Sequence, residues 1–255
     1  MIKITFLGTG TSQGIPIIGS KHPVCLSSDP RDKRLRVSIA LAWDDYFFVI
    51  DCGPDFRQQM LAMNARQLDG IVFTHEHADH TAGLDDIRPF FFRQGNINMH
   101  MSARVQASLK QRFDYIFNDK NKYPGAPSVN VYSIDKSSPF KLGDKQVIPI
   151  EVMHHKMPVM GYRIDDFAYL TDVKTIADEE KDKLKGLDVL VVNALRIEPH
   201  PSHLNLDEAL ALIEKLRPKR AYLTHISHLL GFHEAIQKKL PKNVFLAYDG
   251  LEINL

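Results

Sequence analysis

The chain has 255 residues, 44% of them hydrophobic and 25% charged, an ordinary globular balance that can bury a core without disulfides. Lys and Arg total 32 against 31 Asp and Glu, which excludes the broad basic field of a protein committed to nucleic acid and favours a small, locally bound substrate. Two cysteines are too few for a secreted disulfide framework, no apolar run nears the roughly 18 residues of a membrane span, and the first residues lack a signal-peptide core, so a reduced, cytoplasmic protein without a membrane partner is expected.

In chain order, runs rich in Val, Ile, Phe and Tyr and bounded by Gly, Pro, Asp or Asn predict strands over 2–7, 37–42, 46–51, 70–73, 146–153, 160–164, 167–170, 187–193, 220–224 and 244–248. Helical periodicity predicts 55–62, 103–117, 176–185, 206–216 and 232–240. Asn205 should cap the fourth helix, with Asp207 and Glu208 in its first turn, and Pro218 should close it. Segment 118–138, with Pro124, Gly125 and Pro127, reads as the most loop-like stretch and as the join between two halves. No long linker or fixed repeat divides the chain, so 1–255 is expected to be one layered α/β domain with helices on the outer faces of its sheets.

Histidine is the compositional outlier, at 12 residues. Thr74-His75-Glu76-His77-Ala78-Asp79-His80 follows the apolar run Gly70-Ile71-Val72-Phe73, so a strand aims three imidazoles and a carboxylate at one point. His154-His155, Thr171-Asp172 and Thr224-His225-Ile226-Ser227-His228 each end a further strand. A lone His after a strand is more often a cap than a ligand; four such sites in one chain favour convergence on metal. Imidazole with carboxylate suits Zn, Mn or Fe.

On these residues the sequence resembles the metallo-β-lactamase superfamily, whose H-x-H-x-D-H motif is matched by His75, His77, Asp79 and His80. The next family His is matched by His155 ahead of Gly161-Tyr162, the later Asp by Asp172 and the last His by His225. The resemblance implies a four-layer αββα sandwich with two divalent ions, zinc or manganese, at one edge. His75, His77 and His155 would hold one ion, Asp79, His80 and His225 the other, and Asp172 would bridge. His154 is set aside because successive strand residues point to opposite faces. Asp51, ending a strand before Gly53, would orient a ligand imidazole.

Within the superfamily, the segment from Phe6 to Pro16, His203-Leu204-Asn205-Leu206 and the final Tyr248-Asp249-Gly250-Leu251 resemble the cyclic-phosphate phosphodiesterases of carbon–phosphorus bond metabolism. That implies a hydrolase of small, cyclic included, phosphodiesters, acting as a homodimer, with Asp79 and His203 in catalytic roles and His203 contacting phosphate or protonating the leaving oxygen. The family's structural zinc loop is altered: Cys25 and His228 remain, His22 stands in place of one Cys and Ser20 in place of another. Either zinc binds with water or Ser20 completing its shell, or packing alone holds the loop. The Gly-rich stretch from Thr9 to Gly14 reads as a tight turn, and the run from Arg31 to Arg36 as a solvated basic face. Transfer-RNA 3′-processing is the alternative, weakened because no basic arm is found; glyoxalase-type thioester hydrolysis would need a longer chain. A non-catalytic metal-binding member of the family is disfavoured by the complete ligand set.

Overall fold

Alternation along the strands sorts the apolar residues into two sheets with helices outside them. In the computed structural model, which describes residues 1–118, 120 and 122–255, the first six strands are β1 (Lys3–Gly8), β2 (Ser38–Trp43), β3 (Tyr46–Ile50), β4 (Gly70–Val72), β5 (Ile97–Met101) and β6 (Val129–Ser133). The next eight are β7 (Phe140–Leu142), β8 (Lys145–His154), β9 (Met157–Ile164), β10 (Phe167–Tyr169), β11 (Thr175–Ile176), β12 (Val189–Asn193), β13 (Arg220–Thr224) and β14 (Val244–Leu246). A last strand, β15 (Glu252–Asn254), returns to pair with β1.

Among the described residues one sheet runs β15-β1-β2-β3-β4-β5-β6; the other runs β11-β8-β9-β10-β12-β13-β14, with β7 on β8. Each sheet has an antiparallel part that turns parallel, from β3 to β6 in one and from β10 to β14 in the other. The parallel strands end at the same edge of the sandwich, where loops carry the polar chemistry.

Strand β12 shows the layering residue by residue. Val189 and Val191 face the other sheet, beside Phe6, Ile39, Tyr162 and Tyr169, whereas Leu190 and Val192 face outward with Leu206, Ala209 and Ile213. The helices are α1 (Pro23–Leu26), α2 (Phe56–Ala62), α3 (Ala78–Thr81), α4 (Arg88–Gln94), α5 (Ala103–Arg112), α6 (Asp114–Phe117), α7 (Asp178–Asp182), α8 (Leu206–Leu216) and α9 (His233–Gln237). Phe56, Met60, Phe90, Val105 and Leu109 cover the first sheet; Leu206, Ala209, Ile213 and Ile236 cover the second. The result is the expected αββα sandwich, and each large side chain buried in it contributes about 2 kcal/mol. None of the described helices is long and apolar enough to cross a membrane.

Three expectations are corrected. Segment 118–138 is not loop throughout, because β6 lies within it as an edge strand parallel to β5. The run 103–117 breaks into α5 and α6 at Phe113, and α4 was not foreseen. The basic run is no solvated face: Arg34 is only 3% exposed and bonds Thr9 Oγ1 (2.7 Å), the Ala247 carbonyl (2.6 Å) and His233 Nδ1 (3.2 Å). A cavity of about 720 Å³ beside α8, lined by Leu210, Ile213, Pro218 and Val244, lies on the outer helical face and shares no residue with the imidazole cluster.

Candidate metal centre

Four of the parallel strands deliver polar side chains as they leave their sheets. Asp51 follows β3, Thr74 and His75 follow β4, Asp172 follows β10 and His225 follows β13. Asp51, Asp172 and His225 all have left-handed backbones, with φ of 65°, 57° and 53°. That conformation is disfavoured for residues bearing a Cβ, and it turns each side chain out of the strand's register toward the common edge.

After His75 the chain caps α3 with His77, so Asp79 and His80 enter from a helical turn; the His80 amide bonds the His77 carbonyl at 3.1 Å. This turn packs tightly on the loop after Asp51. A Cβ at Gly53 would lie 2.0 Å from the Asp79 carbonyl oxygen, so only glycine admits the approach.

The donors converge. His75 Nε2 lies 3.0 Å from His77 Nδ1. Asp172 offers one carboxylate oxygen to His80 Nε2 at 3.2 Å and the other to His225 Nε2 at 3.3 Å. Asp79 Oδ2 stands 3.4 Å from His80 Nε2 and 3.8 Å from His225 Nε2. Three overlapping groups, His75/His80/Asp172, Asp79/His80/His225 and His154/Asp172/His203, each bring their ligand atoms within 4.8 Å of one another.

His155 is the correction. It is exposed, at φ 56° in the turn between β8 and β9, whereas His154 points inward with its ring 5.3 Å from His77 and 4.4 Å from His203. His154 Nδ1 donates to the Ser202 carbonyl at 2.8 Å, which leaves Nε2 as the nitrogen that could act as a ligand. Strand alternation rightly allows only one of the pair inside; β8 extends through His154, and that decides which.

Behind the cluster lies Asp51, wholly buried, which accepts from His80 Nδ1 (2.7 Å) and from the Thr74 amide and hydroxyl (each 2.8 Å). Thr74 opens the motif but had no role assigned from the sequence, yet its Oγ1 also lies 3.0 Å from His75 Nδ1. The only signal for it is its place between a buried strand and the first His. His203 sits inside the cluster, 3.7 Å from Asp172, with its ring stacked 4.8 Å from His225. His22 and His228 meet edge to face at 4.8 Å, but with Cys25 they form no three-donor group among the described residues. His22 Nδ1 accepts from the Val24 amide, and Cys25 packs with Ile15 and Val24. Three amides of the Gly-rich turn are occupied: Gly10 bonds Leu35, Thr11 bonds Ile226 and Gly14 bonds Thr11.

The electrostatics call for a cation. Burial works against a charged His80, but Asp172, Asp79 and Asp51 together hold it well above the usual imidazole range. Burial works to raise Asp172 and Asp79, yet neighbouring imidazoles (His225 and His80 at Asp172, His80 first at Asp79) keep both carboxylates below their ordinary range. Burial, with His80, pushes His75 well down; burial, with His225, pushes His203 down to about 3. His80 Nε2 and His225 Nε2 are buried and, though close to carboxylate oxygens, make no well-aligned hydrogen bond. Imidazole nitrogens without aligned partners, facing ionised carboxylates, fit divalent metal.

Residues 46–226 match the family model described as the Beta-lactamase superfamily domain. The crystal structure of a new diphosphatase from the PhnP family is 39% identical, with a TM-score of 0.93, over 100% of this chain and 98% of that one. Zinc-bound PqqB from Methylobacterium extorquens, at 17% identity and TM-score 0.82 over 99% of this chain and 100% of its own, shares the fold. Human short-form tRNase Z does so too, at 18% and 0.71 over 99% of this chain and 98% of its own. An octanoyltransferase of Porphyromonas gingivalis is 38% identical over 98% of this chain and 51% of its own length. A ribonuclease Z of Methanococcus maripaludis is 26% identical over 74% and 55%. The chain thus spans about half the length of these curated relatives.

Proposed function

The chain belongs to the β-lactamase superfamily, and from that premise we propose that it is a metal-dependent hydrolase of small phosphodiesters, cyclic ones included. The observation that carries this reading is Asp172, whose carboxylate lies within 4.8 Å of His75 and His154 and, at 3.2 and 3.3 Å, beside His80 and His225, so that it stands between both sets of ligands. His75, His77 and His154 would hold one ion, and Asp79, His80 and His225 the other. Two divalent ions there would supply Lewis acidity and a nucleophile at neutral pH.

The chain's own residues do the rest. Asp51 fixes the His80 ring so that Nε2 faces inward. Asp79, 13% exposed where Asp172 is 3%, is the more accessible of the two carboxylates and would orient the attacking water. His203 rests neutral, and an anionic phosphoryl group beside it favours its protonated form; it would hold the proton the leaving oxygen takes.

A second reading, diphosphate hydrolysis, is favoured by the 39% identical diphosphatase. Phosphorus in a P–O–P link carries the same two oxygen substituents, so the same in-line attack serves. Transfer-RNA processing rests on relatives that share less sequence. Octanoyl transfer is named for a protein of which this chain spans 51%. The test is hydrolysis of bis-nitrophenyl phosphate, a ribose 1,2-cyclic phosphate, a dinucleoside diphosphate and a precursor transfer RNA, with metal content measured on the same sample. Metal bound without cleavage of any phosphorus–oxygen substrate sinks the reading.

A further inference from the structure

We propose that Asn193 is the positioning residue that holds the metal-bridging carboxylate in place, an inference that rests on the metal-dependent reading above. Asn193 ends β12, whose other residues are all apolar, and it is wholly buried. Its Oδ1 accepts from the Val173 amide at 2.6 Å and its Nδ2 donates to the Val173 carbonyl at 3.2 Å. One side chain thereby grips both polar groups of the residue that follows Asp172. Asp172 is left-handed at φ 57°, a conformation that persists only where its surroundings enforce it. Without the grip, the backbone would relax and the two oxygens would lose their separate lines to His80 and His225.

The same amide coordinates two more parts of the site. The Val173 carbonyl also accepts from the Leu204 amide at 2.7 Å, which docks the neighbour of His203 onto the Asp172 loop. On the other side Asn193 pairs in register with Thr224, the residue before His225, and the Ala194 amide bonds the Thr224 carbonyl at 3.0 Å. Asp172, His203 and His225 therefore reach the site from three chain segments that meet at Asn193. Asn193 touches neither ion nor substrate; it acts through Val173.

The experiment compares wild type, Asn193→Leu and Asn193→Asp. Leu removes both hydrogen bonds at similar volume; Asp keeps the acceptor and loses the donor. Zinc and manganese are titrated calorimetrically into metal-free protein, and thermal unfolding of that protein is followed alongside. Both variants should bind the ions at least about tenfold more weakly, Leu more so than Asp, with kcat falling while KM holds. In the wild type the Val173 amide should exchange hydrogen as slowly as the central strands. An Asn193→Leu protein that binds zinc and manganese as tightly as wild type overturns the proposal alone. Should that variant not fold, unimpaired binding by Asn193→Asp or fast exchange at Val173 overturns it equally. Wild-type protein that binds neither ion takes down this proposal together with the functional reading.

Discussion

Asp51 and His80 meet at 2.7 Å, Oδ2 to Nδ1, with neither side chain exposed at all. The carboxylate accepts three hydrogen bonds, two of them from Thr74, and so fixes both the tautomer and the rotation of the imidazole. Replacing Asp51 by Asn puts an amide where an ionised acceptor stood. Metal affinity is expected to fall roughly 10- to 100-fold with the fold retained. Calorimetric titration with zinc checks it, and unchanged affinity would remove Asp51 from the site.

His154 and His155 give the sharpest contrast available. His154→Ala should cost one ion and most of the turnover, whereas His155→Ala, in an exposed turn, should change neither. Metal analysis of the two dialysed variants decides between them, and the opposite result would restore the spacing argument for His155.

His203→Ala should keep both ions and lower kcat by about 10²- to 10⁴-fold, the span of general acid catalysis. The loss should be largest for poor leaving groups and small for nitrophenolate. Equal losses across leaving groups would argue that His203 holds the phosphoryl group and does not move a proton.

Stability should depend on pH through His233, 3% exposed and pushed down to about 4 by burial and by the Arg34 and Arg31 charges. A lowered imidazole contributes stability that is complete above its unfolded value near 6.5 and is lost as pH falls toward 4. Asp249, pushed up to about 6 by burial, acts in the opposite sense, its contribution lost as pH rises through 6. His233→Gln removes the first and keeps the second. Relative to wild type, the variant should therefore gain about 2 kcal/mol between pH 7.5 and pH 4.5. Urea unfolding of both proteins at the two values measures it; a constant difference would show that His233 titrates normally.

How much could be read from the sequence varied with what each residue depends on. β13 and α8 begin and end where periodicity and the Asn205 cap place them, because both are decided locally; the capping box with Glu208 is present. β6 was hidden because an edge strand needs only Val129 and Val131 half-buried, which leaves a weak pattern among prolines. The H-x-H-x-D-H cluster was legible because its ligands share one turn. The choice between His154 and His155 was not, since it depends on how far β8 runs. Arg34 looked like a surface charge because nothing in a basic run reveals that Thr9, Ala247 and His233, up to 213 residues away, close over it.

The left-handed backbones at Asp51, Asp172 and His225 have one more consequence. Each is a position where glycine would relieve of the order of 1 kcal/mol of conformational stress. At these three places selection for a sturdier apoprotein and selection for turnover pull apart. Variants screened for heat resistance alone should drift toward glycine here and emerge robust but inert.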